Sequence, residues 1–413
     1  MLYDRILKNI ENRRNNILSG KINCIPFGLP RFEEMCPGIE KKTLTYITAS
    51  TKVGKSKYTD YFFVYKTLFY AMKHPEQLRI KIFYFTWEMS IEEKYLEFIS
   101  YLLYILSNRK TRISPKDLTS TKASKPLPQE ILDILNTDIY KRIFKFFEEH
   151  VVFIDTIRNP YGIYKFCQDY AKNNGTQYTK KLEIKNKQND TIETREVDDY
   201  YEPNDPDEYR LIIVDHMALL TPENGSSLRD SMVELSSRYF VTLRNKYHYT
   251  IIGIVQQAMA QESNENFRLG KLKPTVDGIG EAKVIARDCN MMLGLYSPFR
   301  HGIREYEGYD ITKFRDNIRF MEIMINRSGG SGIICPLFFD GATNYFEELP
   351  LPDDPKLVTS YNIIARINNP NILLFIHKQR TKNESNISTR KIWLWKDIQH
   401  WLCARIKSHR IRS

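Results

Sequence analysis

Between Ala49 and Ser56 the chain reads ASTKVGKS, preceded by the apolar run LTYIT and followed by residues that suit a helix. The spacing fits the phosphate-loop pattern G-x-x-x-x-G-K-[ST], with Ala49 at the first glycine. In such a loop the backbone N–H groups of Ser50, Thr51, Lys52 and Val53 surround phosphate oxygens at a helix N-terminus. Gly54 lets the backbone come close, Lys55 reaches the β- and γ-phosphates, and the Ser56 hydroxyl ligates Mg²⁺. The ligand implied is a nucleoside triphosphate with its magnesium, ATP in the first instance.

Four other positions carry matching chemistry. RLIIVD ends in Asp215, a carboxylate at the end of a buried strand that can hold the magnesium water shell. FYFTWEMS puts Glu88 just past another strand, where a carboxylate can polarise an attacking water. IIGIVQQ ends a third strand in Gln256 and Gln257, amides able to sense a γ-phosphate. INRSGGSG presents Arg327 before a glycine-rich loop, as an arginine that completes a neighbour's site would be. Taken singly, a surface glutamate, a solvated strand end and a hairpin arginine are the plainer readings of these residues; the set as a whole favours chemistry.

The elements that must position these residues follow from the apolar pattern. LTYITA, IKIFYFTW, VVFIDT, RLIIVD, TIIGIV, NMMLGLY and FMEIMI read as strands. Several are continuous apolar runs, which a sheet covered on both faces requires. Helical patterns separate them, and Ser90 with Glu93 makes a capping box ahead of KYLEFISYLLYIL. The alternation predicts an α/β fold with a mostly parallel twisted sheet. Residues 2–18 predict a narrow amphipathic helix ended by Gly20, whose apolar stripe needs something to dock on. Residues 106–140 and 173–209 read as insertions, the second as a protruding hairpin. The expected division is a linker helix over 1–20, an ATPase domain over 21–349, and a basic extension over 350–413 in which WLWKDIQHWL reads as a short helix.

Composition narrows the class. No apolar run reaches the ~18–20 residues that span a bilayer, so no membrane partner is expected. Six scattered cysteines without a CxxC pair argue for reduced thiols in a cytosol and against a zinc site. The formal charge is +11, but Lys356 to Ser413 holds twelve Lys/Arg against two acids. The preceding residues are near neutral, so the tail is the candidate for a polyanionic partner.

With these elements in order, roughly residues 20–347 resemble the RecA-like ATPase domain of the DnaB-like replicative hexameric DNA helicases. IPFGLPRFEEMCPGI is similar to that family's opening segment, ASTKVGKS to its phosphate loop, FTWEMS to its S-L-E-M-S and LIIVDHMALL to its I-V-I-D-Y-L-Q-L-M. IIGIVQQ is similar to its sensor strand, GEAKVIARDCNMMLGL to its DNA-facing loop, and INRSGGSG to its K-Q-R-N-G-P-T-G. The resemblance implies Glu88 as catalytic base, Gln256 as sensor, Arg327 as a finger acting in trans, a hexameric homo-oligomer and single-stranded DNA as partner. It also implies that residues 2–18 correspond to the linker helix that docks on the adjacent subunit. Three positions depart from the pattern: Ile325 replaces a second basic residue, Gly280 replaces the arginine of the DNA loop, and His216 replaces a tyrosine. Arg268, Lys271, Lys273, Lys283 and Arg287 are then the candidates for neutralising DNA phosphates. No segment resembles the family's primase-meeting domain. With the abundance of Lys, Asn, Ile and Tyr, this suggests a phage-encoded helicase in its host's cytoplasm, with the tail open to other replication proteins. Rival readings are a strand-exchange ATPase with the same core and a nucleotide-binding ring that assembles without turning over.

Removing residues 356–413 takes away about ten net charges. It is expected to weaken single-stranded DNA binding and flatten its salt dependence. Fluorescence anisotropy across a salt series checks this, and an unchanged slope would rule out the tail as a nucleic-acid grip.

Overall fold

The computed structural model describes residues 2–121, 126–185, 192–223 and 225–368. The seven apolar runs form strands β1 (Leu44–Ala49), β2 (Arg79–Thr86), β3 (Val151–Ile154), β4 (Glu208–Asp215), β5 (Thr250–Gln256), β6 (Met291–Tyr296) and β7 (Ile318–Asn326). Two further strands, β8 (Ile334–Asp340) and β9 (Tyr345–Glu348), are not marked by that pattern. All nine share one sheet in the order β9-β8-β7-β6-β1-β5-β4-β2-β3. From β6 to β3 the neighbours are parallel, with Met291 beside Thr45, Leu44 beside Ile251, Leu211 beside Thr250, Arg79 beside Glu208 and Ile82 beside Val151. β7, β8 and β9 add an antiparallel edge. The sheet is therefore mostly parallel, as the α/β alternation requires.

Both faces are covered, which is why the central strands are apolar throughout. Side chains alternate between two clusters: Ile82 and Tyr84 face one, Phe83 and Phe85 the other. The helix that follows the phosphate loop runs from Lys55 to Lys73 and is π-helical over Asp60–Tyr65. Its buried side packs on an aromatic group supplied by the antiparallel edge. Phe346 lies 5.7, 5.6, 5.9 and 4.7 Å from the rings of Tyr58, Tyr61, Phe62 and Phe339. The next helix, Ile91–Leu106, starts at Ser90, whose hydroxyl accepts from the Glu93 N–H while the Glu93 carboxylate accepts from the Ser90 N–H.

Residues 173–209 form an antiparallel hairpin of Gly175–Lys185 and Ile192–Pro203. Its base is fixed by Arg210, which donates to the Tyr201 hydroxyl at 2.6 Å and to the Asn174 carbonyl at 2.8 Å. Between 106 and 140 the chain holds the short helices Pro115–Leu118 and Gln129–Leu135 and enters a longer one, Asp138–His150. The N-terminal helix α1 (Leu2–Leu18) ends in Gly20 at φ +73°, and Ile6, Ile10, Ile17 and Leu18 are exposed. Arg5 stacks over the Tyr200 ring of the hairpin at 4.3 Å. The start of the C-terminal segment packs on the body: helix Leu357–Asn368 buries Leu357 and Ile364, and Tyr361 meets Phe314 at 4.7 Å. The basic extension expected over 350–413 therefore begins with residues that pack on the body, and a truncation at residue 356 would remove them. WLWKDIQHWL lies outside the described residues.

Phe346→Ala is expected to lower unfolding stability by about 3–5 kcal/mol, because it empties the ring cluster that holds the first turns of the phosphate-loop helix. Urea denaturation followed by tryptophan fluorescence measures it.

Candidate nucleotide site

The parallel strands all end at one edge of the sheet, and the loops leaving that edge carry most of the candidate residues. Ala49, Gln256 and Asp215 are the last residues of β1, β5 and β4. Glu88 lies two residues beyond Thr86, the end of β2. Strand β1 lies in the middle of the sheet, between β5 and β6. An open α/β sheet takes its ligands in crevices at this edge.

The loop from Ser50 to Gly54 is held from behind. Gly54 has φ +107°, and a Cβ there would sit 3.4 Å from the Phe339 ring. That ring is stacked under the guanidinium of Arg319, 4.5 Å from its centroid. Arg319 is buried, donates to the Val53 carbonyl at 2.7 Å and pairs with Asp316 at 3.0 Å. The loop is thus braced by a cation on one of its own carbonyls. The sequence did not single out Arg319; an arginine inside an apolar strand run (IRFMEIMI) was the available signal.

Lys55 is buried, and its ammonium donates to the carbonyls of Ala49 and Ser50, both at 3.1 Å. Burial lowers its pKa, while Glu88 and Asp215 pull it back up. The Ser56 hydroxyl donates to Asp215 Oδ1 at 3.0 Å, bringing together the two oxygen ligands proposed for magnesium. Mg²⁺ in phosphate-loop sites takes one or two protein oxygens and completes its shell with phosphate and water. This donor set fits that habit, and among the described residues no cluster of three or more His, Cys, Asp or Glu offers a closed metal site instead.

Asp215 and Glu88 are joined by residues between them. The Trp87 N–H donates to the Asp215 carbonyl at 3.2 Å. His216 Nε2 lies 3.6 Å from Glu88 Oε2, and burial holds the imidazole pKa below its ordinary value. The ring stands beside the half-exposed Glu88 carboxylate. Gln256 donates to the Thr51 hydroxyl at 2.6 Å, and Gln257 points the other way, donating to Thr48 Oγ1 at 2.8 Å and the Thr275 carbonyl at 3.0 Å. The two amides tie the strand end to the phosphate loop on one side and to the segment after residue 258 on the other.

That segment carries the basic candidates. Arg268, Lys271, Lys273, Lys283 and Arg287 are all exposed. Lys273 pairs with Glu322 and Lys283 with Asp277, both at 3.1 Å, while Phe267 and Leu269 expose apolar surface on either side of Arg268.

Arg327 is placed apart from the rest. β7 runs antiparallel to β6, with Asn326 beside Met291, which in turn lies beside Thr45 at the start of β1. The phosphate loop begins at the far end of β1, roughly 13 Å further along at ~3.3 Å per residue. Arg327 and the loop therefore lie at opposite edges of one sheet. Its guanidinium donates to the Arg287 carbonyl and its backbone N–H to the Asn290 carbonyl.

No family model matches the sequence, and no curated protein matches it. Solved structures do match in fold. One described as an ATPase domain superposes with a TM-score of 0.54 at 15% identity, covering 84% of this chain and 98% of that one. A structure described as "a DnaB-like replicative helicase and its interactions with primase" gives 0.55 at 14% identity, covering 80% of this chain and 64% of that one, so the chain spans under two thirds of that helicase. The chain is similar in fold to both of these structures, a mostly parallel α/β sheet flanked by helices.

Gly54→Ala must place an L-residue at φ +107° with its methyl against Phe339. Affinity for a fluorescent ATP analogue is expected to fall about tenfold or more, since such a conformation costs about 1–2 kcal/mol before any loop distortion. Titration beside the wild type reads the change.

Proposed function

We propose that the chain is an ATP-driven, ring-forming motor that translocates on single-stranded DNA and unwinds duplex. The observation that carries this reading is the division of its candidate residues between two edges of one sheet. Lys55, Ser56, Asp215 and Glu88 meet at one edge, while Arg327 stands at the other, a separation that supports its serving a second copy. A site completed by a neighbour is a site that needs a ring or a filament.

In this reading Lys55 and the loop N–H groups hold the triphosphate of ATP. Ser56 and Asp215 would hold Mg²⁺, which would supply neutralisation of phosphate charge. Glu88 takes a proton from the attacking water, with His216 beside it. Arg327 of an adjacent copy approaches the γ-phosphate. Gln256 senses that phosphate, and Gln257, the next residue in the chain, passes the shift to the segment carrying Arg268, Lys271, Lys273, Lys283 and Arg287, which grips DNA phosphates. The exposed stripe of α1 suits docking on the next copy in a hexameric ring. The family likeness suggests a phage replication setting in a host cytoplasm, with the basic tail available to DNA or to other replication proteins. A ring that binds nucleotide without turnover is the second reading, favoured by Ile325 and Gly280 where the family has basic residues.

Three ATPase measurements separate these readings. Wild type is expected to hydrolyse ATP faster with single-stranded DNA, and Glu88→Gln to lose about 10²–10⁴-fold in rate. Mixing Lys55→Ala with Arg327→Ala is expected to recover activity absent from either alone, because a mixed ring contains interfaces with both residues intact. Nucleotide binding without turnover in the wild type would move the conclusion to the scaffold reading.

A further inference from the structure

Next to the candidate magnesium ligands lies a group of buried charges that the mechanism above does not use. Lys94 is 2% exposed, and so are its surroundings: Asp60 at 2%, Tyr84 at 1% and Asp215 at 1%. The Lys94 ammonium contacts Asp60 Oδ1 and Oδ2 at 3.2 and 3.0 Å, the Tyr84 hydroxyl at 2.8 Å and Asp215 Oδ2 at 3.3 Å. The Tyr84 hydroxyl in turn donates to Asp215 Oδ2 at 3.0 Å. The two oxygens of Asp215 are thereby assigned. Oδ2 is turned inward to Lys94 and Tyr84, and Oδ1 is turned to Ser56.

We infer that Lys94 is a positioning residue for the magnesium–nucleotide site, fixing the Asp215 carboxylate so that one oxygen faces Ser56. The inference rests on the reading of Lys55, Ser56 and Asp215 as a nucleotide site. Three observations support more than a filler role in the core. Asp60 alone would satisfy the ammonium as a partner, yet Lys94 bridges both carboxylates. Lys94 engages Asp215 through Oδ2 and leaves Oδ1 to Ser56. Each member also comes from a different element that reaches the site: Asp60 from the phosphate-loop helix, Tyr84 from β2, Asp215 from β4, and Lys94 from the helix that begins just after Glu88. Supporting groups of this kind orient metal-ligating carboxylates, and losing them weakens metal binding.

The test removes Asp60 and Lys94 together, so that neither is left buried without the other. In the Asp60→Leu/Lys94→Met double variant, the Mg²⁺ concentration for half-maximal binding of a fluorescent ATP analogue is expected to rise about tenfold. Binding of the same analogue in EDTA is expected to match the wild type, which a collapsed loop would not allow. Tyr84→Phe, which removes one hydroxyl and keeps the ring, is expected to raise the Mg²⁺ requirement about threefold and covers the case in which the double variant does not fold. An unchanged Mg²⁺ requirement in a folded variant overturns the inference and leaves the group as a core ion pair. If the wild type binds no analogue at any Mg²⁺ concentration, the nucleotide reading itself fails, and this inference with it.

Discussion

A carboxylate that is to hold a metal ion must be charged, and Asp215 is almost wholly enclosed by protein. Removing a charge from water is costly unless it is matched and hydrogen-bonded. The interior around Asp215 is arranged to meet that cost. Burial works against the charge on Lys94, but Asp60, Asp215 and Glu97 outweigh it and hold the ammonium above its ordinary pKa. Burial pushes Asp60 upward, and Lys94 opposes it. The polar group lies between the sheet and the two helices that frame the loop edge, surrounded by the aromatic residues of the larger apolar cluster. Those helices cannot slide without stranding a charge, so the demand of one carboxylate fixes the geometry of the loop that precedes one helix and of Glu88, which precedes the other.

The polarity of the sheet settles a second matter. Parallel strands place all their C-terminal loops at one edge. The antiparallel β7 returns to the other edge, and Arg327 is set there by the register of Asn326 with Met291. The same edge receives the end of the basic segment, whose Arg287 carbonyl accepts from Arg327. One end of that segment is tied through Gln257 to the nucleotide edge, and the other through Arg287 to Arg327. One continuous stretch of chain therefore links the two edges.

What could be read from sequence was local. ASTKVGKS, RLIIVD and the Ser90–Glu93 cap each lie within a few residues, and each forms the element its pattern predicts. The hairpin over 173–209 was legible because two polar strands flank a turn-rich centre. What escaped was non-local. Lys94 stands 34 residues from Asp60 and 121 from Asp215, and no periodicity joins them; in its helix it reads as a solvated lysine. Arg319 falls just before the run FMEIMI that reads as a strand and is the brace under Val53. β8 and β9 went unmarked because ICPLFFD and YFEE mix proline and acids into short runs that resemble loop.

The departures from the helicase pattern also have local physical reasons. Ile325 pairs with Met292 beside a bulge in the β6–β7 ladder and packs against the apolar cluster on that face. A lysine at that position would have to bring its charge out of apolar surroundings, whereas Arg327, two residues on, is exposed. Gly280 adopts φ +71° and ψ −136°, a backbone region that glycine occupies freely and arginine resists. Gly278 is similarly confined, since a Cβ there would meet Gln257 Oε1 at 1.9 Å. The segment thus follows a path that requires small residues where the family carries a cation. Its positive charge is displaced to Arg268, Lys271, Lys283 and Arg287 on either side of that bend, which keeps the charge exposed while the bend itself stays packed on the strand end.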